Sequence, residues 1–211
     1  MADVISRNGA VGSDVVRWLV FSLLCAGGSL GLSWLGPVVP LPSVVRGVAG
    51  LFAILILPLA WLLVPVLVLR RVPRKKRKVA WQLIVPLTAG VALGIFGTAA
   101  GNAAALADRG VTVDAVVVSA DYSSTNHCEL RTADGQDISP SLSESDGCRD
   151  STSKGDELRV RYDPEGVASP DDGRTSSNGV LLATLFGAAV VMGTWGGVRQ
   201  SRWDRAYGGD A

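Results

Sequence analysis

His127 and Cys128 stand side by side in "STNHCELRT", and Cys148 follows in "SDGCRD". A histidine beside a thiol is the material of an activated cysteine nucleophile, and two thiols with one imidazole are three ligands of a zinc site. Neither chemistry fits the spacing. Neighbouring residues on a strand point to opposite faces, so His127 and Cys128 do not converge on one substrate atom. No fourth ligand stands at a zinc-site spacing. The acids Glu144, Asp146 and Asp150, with Asp171 and Asp172, are able to hold a divalent cation, but no Asp-x-Asp-x-Asp-Gly loop organises them, and solvated acids on a hydrophilic loop are the simpler reading. Gly27, Gly28 and Gly31 lack the strand-to-helix setting of a dinucleotide fingerprint, and no Gly-x-x-x-x-Gly-Lys loop occurs. The expectation is a protein that is not an enzyme and takes no cofactor and no metal.

The densest charge is "RRVPRKKRKV", residues 70–79, with Arg70, Arg71, Arg74, Lys75, Lys76, Arg77 and Lys78 around Pro73. Its inner part has the form of a nuclear-import signal, and any such run suggests nucleic acid. No aromatic residue interleaves the cations and no nucleic-acid-binding motif surrounds them, so no nucleic-acid partner is expected. What flanks the run explains it better. Between Arg17 and Arg46, Arg46 and Arg70, Lys78 and Asp108, and Arg174 and Arg199 there is no Asp, Glu, Lys or Arg at all. Each stretch is long enough to cross a bilayer, which takes about 20 apolar residues.

Composition agrees. The 211 residues are 48% hydrophobic and 18% charged with formal net charge +1, and the mean hydropathy is +0.32. A soluble core helix keeps a polar face, whereas "GLFAILILPLAWLLVPVLVL" is apolar all round. Four transmembrane helices are expected at 18–35, 48–69, 81–106 and 180–198, with a cytoplasmic N-terminus at 1–17, an outer loop at 36–47, a basic cytoplasmic loop at 70–80 and a cytoplasmic tail at 199–211. The first span reads as an anchor, because no A-x-A-like cleavage site follows it. Cys25 is not a lipoprotein processing site, because Leu24 precedes it where a small residue is required.

A short loop rich in Lys and Arg stays on the cytoplasmic side. The run 70–78 therefore sets the topology, and its cations are placed to meet anionic lipid headgroups. Both termini then lie inside, which suits Arg199, Arg202 and Arg205 after the last span. Segment 108–176 lies outside, with 15 acids and 7 bases, a net −8.

That segment reads as a small all-β domain. "GVTVDAVVVSADYS" has the β-branched density of a strand, "CELRTADGQDIS" offers two short strands around Asp134-Gly135, whose types favour the positive φ of a tight hairpin, and "DELRVRYDP" alternates, with Leu158, Val160 and Tyr162 on one face. "SPSLSESDGCRDSTSKG" is expected to be a mobile loop. Cys128 and Cys148 fall in the compartment where disulfides persist, and pairing them is worth roughly 3 kcal/mol to a small domain. Cys25 is the odd cysteine, within a span.

The sequence from "RGVTVDAVVV" through "T-x-DG" to "GDELRVRYDPEGVASP" resembles an uncharacterised family of bacterial multi-spanning membrane proteins with a small β-barrel-like or OB-like module. The resemblance covers Gly110 to Pro170 and is most specific at Gly155, Asp156, Val160, Tyr162, Asp163 and Pro164, the Gly-Asp-x-x-x-Val-x-Tyr-Asp-Pro ending. It implies a module of that fold and a bacterial envelope setting, and brings no activity. The pair Cys128 and Cys148 and the loop between departs from the pattern.

Within the spans, Gly90 with Gly94 and Gly97 with Gly101 form two G-x-x-x-G pairs that let helices approach closely; Ala183, Gly187, Ala188 and Gly193 continue the theme, so spans three and four are expected to meet. The functional expectation is a non-enzymatic multi-pass protein of the bacterial plasma membrane that presents a disulfide-clipped β module to an envelope component. The partners expected are the lipid bilayer and an envelope protein or a second copy of the chain. The alternative is a subunit of a transport or export system, weakened by the absence of ionisable groups in the spans.

Overall fold

The computed structural model describes residues 2–68, 81–123, 125–173 and 179–207, with side chains from Gly12 onward. Its order is α1 (Ala2–Val38), α2 (Ser43–Leu51), a π-helical turn (Phe52–Ile56), α3 (Leu57–Val68), a 3-10 turn (Trp81–Leu83), α4 (Ile84–Arg109), β1 (Val111–Asp121), β2 (His127–Thr132), β3 (Asp137–Ser143), a 3-10 turn (Glu144–Asp146), β4 (Glu157–Tyr162) and α5 (Gly179–Tyr207). Among the described residues, four helical segments are long and apolar enough to cross a membrane: Gly12–Val38, Ser43–Leu67, Trp81–Arg109 and Gly179–Tyr207. The described residues cluster into two compact units.

One unit is helical. It takes in Met1–Ser33, Ser43–Gly97 and Asn178–Ala211. Its core joins Cys25, Ala26, Trp61, Ala89, Leu93 and Ala189, with Phe21, Leu185 and Phe186 against them. α1 starts at Ala2 and α5 continues to Tyr207, so both helices run well past the apolar stretches that mark the spans. The π turn has a local cause. Pro58 has no N–H to give Ile54, and its ring crowds that carbonyl; the chain widens just before it, and the Leu57 amide donates to Phe52 O, five residues back.

The other unit takes in Trp34–Pro42 and Thr98–Ser177. It holds a four-stranded sheet of order β3-β2-β1-β4, antiparallel throughout. Alternation sends Ala115 and Val117 of β1, Cys128 and Leu130 of β2, Ile138 and Leu142 of β3 and Val160 of β4 into one core with Cys148. The β1–β2 register slips between Val117 and Ser119, which carries β1 on to pair Ala120 with Cys128. Between β2 and β3 only Gly135 has positive φ, +82°, and Asp134 does not. The hairpin is therefore wider than the two-residue turn suggested by Asp134-Gly135, with the Thr132 amide donating to Gln136 O and the Gly135 amide to Thr132 O.

The segment expected to be a mobile loop is structured. Ser139 to Ser143 belong to β3, Glu144–Asp146 form a 3-10 turn, and the Cys148 amide donates to Ser143 O. Serine and proline made this stretch look irregular, yet two apolar side chains, Ile138 and Leu142, are enough to seat it on the core.

Candidate functional site

The sheet's unit contains a disulfide and two features able to do something beyond filling space. Cys128 and Cys148 are bonded, with Cα atoms 5.7 Å apart, and both are fully buried. The bond ties the end of the Glu144–Asp146 turn to β2. His127 is exposed on the opposite face, as strand alternation requires, so imidazole and sulfur do not share a site. Beyond Cys148 the chain is fixed at several points: Asn126 Nδ2 donates to Asp150 Oδ1 at 2.5 Å, the Arg149 amide to Thr152 Oγ1, and the Tyr122 hydroxyl to Thr152 O.

The first feature is a groove of about 430 Å3 walled by Gly147, Arg149, Thr152 and Asp172, with Leu142, Leu158 and Val160 also lining it. β4 runs along it as an edge strand. Its residues 158, 160 and 162 pair toward β1, and the alternate positions point their backbone groups outward. Arg161 there exchanges two hydrogen bonds with Asp171, of 2.8 and 3.0 Å. Gly173, at φ +76°, then turns the chain. The next outward positions, Arg159 and Glu157, have no backbone partner among the described residues. Of the acids singled out in the sequence, Asp172 reaches Arg149 at 3.8 Å, Asp146 Oδ2 accepts from Ser143 Oγ and Asp171 Oδ1 from the Gly173 amide. They are spread over different turns, and among the described residues no group of three His, Cys, Asp or Glu is arranged to hold a metal ion.

The second feature is a knot around Asp163, the acid of "Tyr-Asp-Pro". Asp163 is 1% exposed. Its carboxylate accepts amides of Glu165, Val167 and Ala168, which wraps the turn after β4 around it. It also accepts a two-pronged pair from Arg109 at the end of α4, at 3.0 and 2.9 Å. The same guanidinium donates to Val38 O and Pro37 O at 2.9 and 2.7 Å. Those are among the last carbonyls of α1, which have no partner within their own helix. Burial pushes the Asp163 carboxyl up, but Arg109 and the amides of Ala168 and Glu165 outweigh it and hold it at about 2. Nearby, Ala105, Leu106 and Ala168 form a small apolar cluster, the Ser169 amide reaches Asn102 Oδ1 at 3.4 Å, and Arg161 Nη2 donates to Ala107 O.

Arg109 was invisible as a site residue in the sequence, where it is merely the first cation after an apolar run. Its partners lie 54 and 71 residues away. The sequence did mark Asp163, as part of the Tyr-Asp-Pro ending, and its proline neighbour is a residue pair that starts turns.

The glycines of the third span face other helices than expected. A Cβ at Gly90 would meet Trp61 and Pro58, and one at Gly94 would meet Ile54, so α3 and its π turn fill that face. A Cβ at Gly97 would lie 3.2 Å from Ser33, and one at Gly101 2.5 Å from Trp34 O, both on α1. α5 meets the start of the third span instead, with Gly196 against Leu83, and gives Gly193 to Trp61 and Gly197 to Trp18. The third span and α5 nevertheless meet, since Ala89 and Leu93 share a core with Ala189. Cys25 is buried in the helical unit. Arg70, Arg71, Arg74, Lys75, Lys76, Arg77 and Lys78 lie outside the described residues. Compared with family models, with curated proteins and with solved structures, the chain has no match.

Proposed function

We propose that the chain is a non-enzymatic multi-pass protein of a bacterial plasma membrane, with both termini cytoplasmic, and that it holds its sheet outside the membrane as a recognition module for an envelope protein. The observation that carries this is the Arg109–Asp163 pair. Within the sheet's unit, the turn after β4 is bonded to the end of α4 and, through the same guanidinium, to the end of α1. A turn fixed at three points holds the adjoining end of β4 in one conformation, which suits a recognition surface. That surface is the groove beside β4, where unpaired backbone at Arg159 and Glu157 is suited to an extended segment of the partner. The proposal includes the barrel-like or OB-like character of the module and its kinship to the bacterial family through Gly155, Asp156, Val160, Tyr162, Asp163 and Pro164. It also includes the cytoplasmic, lipid-facing role of residues 70–78.

Because both native sulfurs of the disulfide are buried, topology is best read from a reporter thiol. In a Cys25→Ser background, Lys154→Cys should react with a membrane-impermeant thiol reagent in intact cells. Reaction only after lysis would invert the topology and end the proposal. A second reading, a transport subunit, is favoured by the Ser29 and Ser33 hydroxyls, which are buried in the helical unit with no hydrogen-bond partner among the described residues. Under that reading, Ser29→Ala with Ser33→Ala abolishes activity while removal of 108–176 spares it; under ours the outcome is the reverse.

A further inference from the structure

On α5, Val191, Trp195, Arg199 and Arg202 succeed one another at spacings of four, four and three, so they form one stripe along the helix. All four are exposed, Trp195 at 55%. Read toward the C-terminus, the stripe passes from aliphatic to aromatic to cationic within a few turns. That is the order of acyl chain, glycerol and headgroup met by a helix leaving a bilayer. Trp81, 64% exposed, stands at the start of the 3-10 turn that contacts α5. Between them is Gln82, 2% exposed. With its amide oxygen turned toward its neighbours, Gln82 accepts from Arg199 Nη1 at 2.6 Å and from Trp81 Nε1 at 3.3 Å. Gly196 makes the approach feasible, since a Cβ there would lie 2.9 Å from Leu83 and 3.7 Å from Gln82. A buried amide thus fixes one nitrogen of an exposed guanidinium and one exposed indole. Arg205 is differently occupied, bonded to Asp14.

We propose that Arg199 and Arg202, flanked by Trp81 and Trp195, bind the headgroup phosphate of an anionic phospholipid. Guanidinium groups present paired N–H donors that match phosphate oxygens, and Gln82 pre-orients one of them, which lowers the ordering cost of binding. Zwitterionic lipid carries the same phosphate with a compensating ammonium, so the site selects for net negative headgroups. This inference rests on the membrane reading above, but is independent of residues 70–78 and of the module.

The test is native mass spectrometry of the purified full chain in detergent with equimolar phosphatidylglycerol and phosphatidylcholine. Phosphatidylglycerol should be retained preferentially. Arg199→Gln with Arg202→Gln should lower the preference by about tenfold, Gln82→Leu should lower it in part, and Arg205→Gln should leave it unchanged while showing that loss of any cation is not enough. Equal retention of the two lipids, or an unchanged preference in the Arg199/Arg202 double variant, would overturn the site. Displacement of the lipid by millimolar inorganic phosphate would assign the pocket to a soluble anion and equally overturn it. Failure of the underlying reading is separately visible: a chain released from membranes by alkaline carbonate is not membrane-spanning, whereas one that stays in the pellet without lipid preference loses only the lipid site.

Discussion

Asp163 and Arg109 depend on each other more than any other pair described. Replacing Asp163 with Asn keeps the shape and removes the charge, so the Arg109 guanidinium is left partly buried against two carbonyls and an amide. We expect a loss of roughly 3 kcal/mol, in the range for breaking a buried pair from one side, read as a fall in the urea midpoint of the detergent-solubilised protein. Replacing both residues with leucine should restore part of it, because no lone charge remains. The acid response follows from the same group. Its folded pKa of about 2 lies below the 3.8 of a free aspartate, so the unfolded chain binds the proton first. The contribution is complete above about pH 4 and is lost as pH falls toward 2, worth roughly 2 kcal/mol over that window. An acid titration of stability should show this slope in the wild type and a flattened one in Asp163→Asn. In the sequence the aspartate stood out through the Tyr-Asp-Pro ending that carries the resemblance, while Arg109 did not, because a long-range partner leaves no local periodicity.

At the scale of elements, the apolar helices were legible because a span needs no tertiary context to declare itself: the absence of charge over some twenty positions is the signal. The strands β1 and β4 were legible through β-branched density and alternation. The start of β3 was legible in "QDIS", but its continuation to Ser143 was not, because its burial rests on Ile138 and Leu142 amid serines and a proline, with the Cys128–Cys148 bond reinforcing the turn that follows. Removing that bond with Cys128→Ser and Cys148→Ser should lower stability by roughly 3 kcal/mol, and hydrogen exchange should rise first in β3 and the Glu144–Asp146 turn. Helix partners were also hidden, since small residues announce that something approaches without saying what. The structure makes the partners testable. Gly101→Val drives a side chain onto Trp34 O and should lower the yield of folded protein severely, while Gly31→Val meets open space and should be within about 0.5 kcal/mol of wild type.

For the molecule as a whole, the two units differ in what holds them. The helical unit relies on apolar helix contacts relieved by glycine, and the sheet's unit on a small core reinforced by a disulfide and an ion pair. The reporter thiol at Lys154 is the measurement that decides which side of the membrane the sheet occupies, and the first-span alternative of a removable leader would have the knot lose its Pro37 and Val38 acceptors. That last point reaches into biosynthesis. The three contributors to the knot, around residues 37, 109 and 163, emerge from the ribosome in that order. The guanidinium therefore enters the growing chain with its carbonyl acceptors already made and its carboxylate still to come. Until some fifty further residues are added, the charge at the end of α4 has no counter-ion from this turn, and a nascent chain that ends before Asp163 has the carbonyl acceptors of the clamp without its carboxylate.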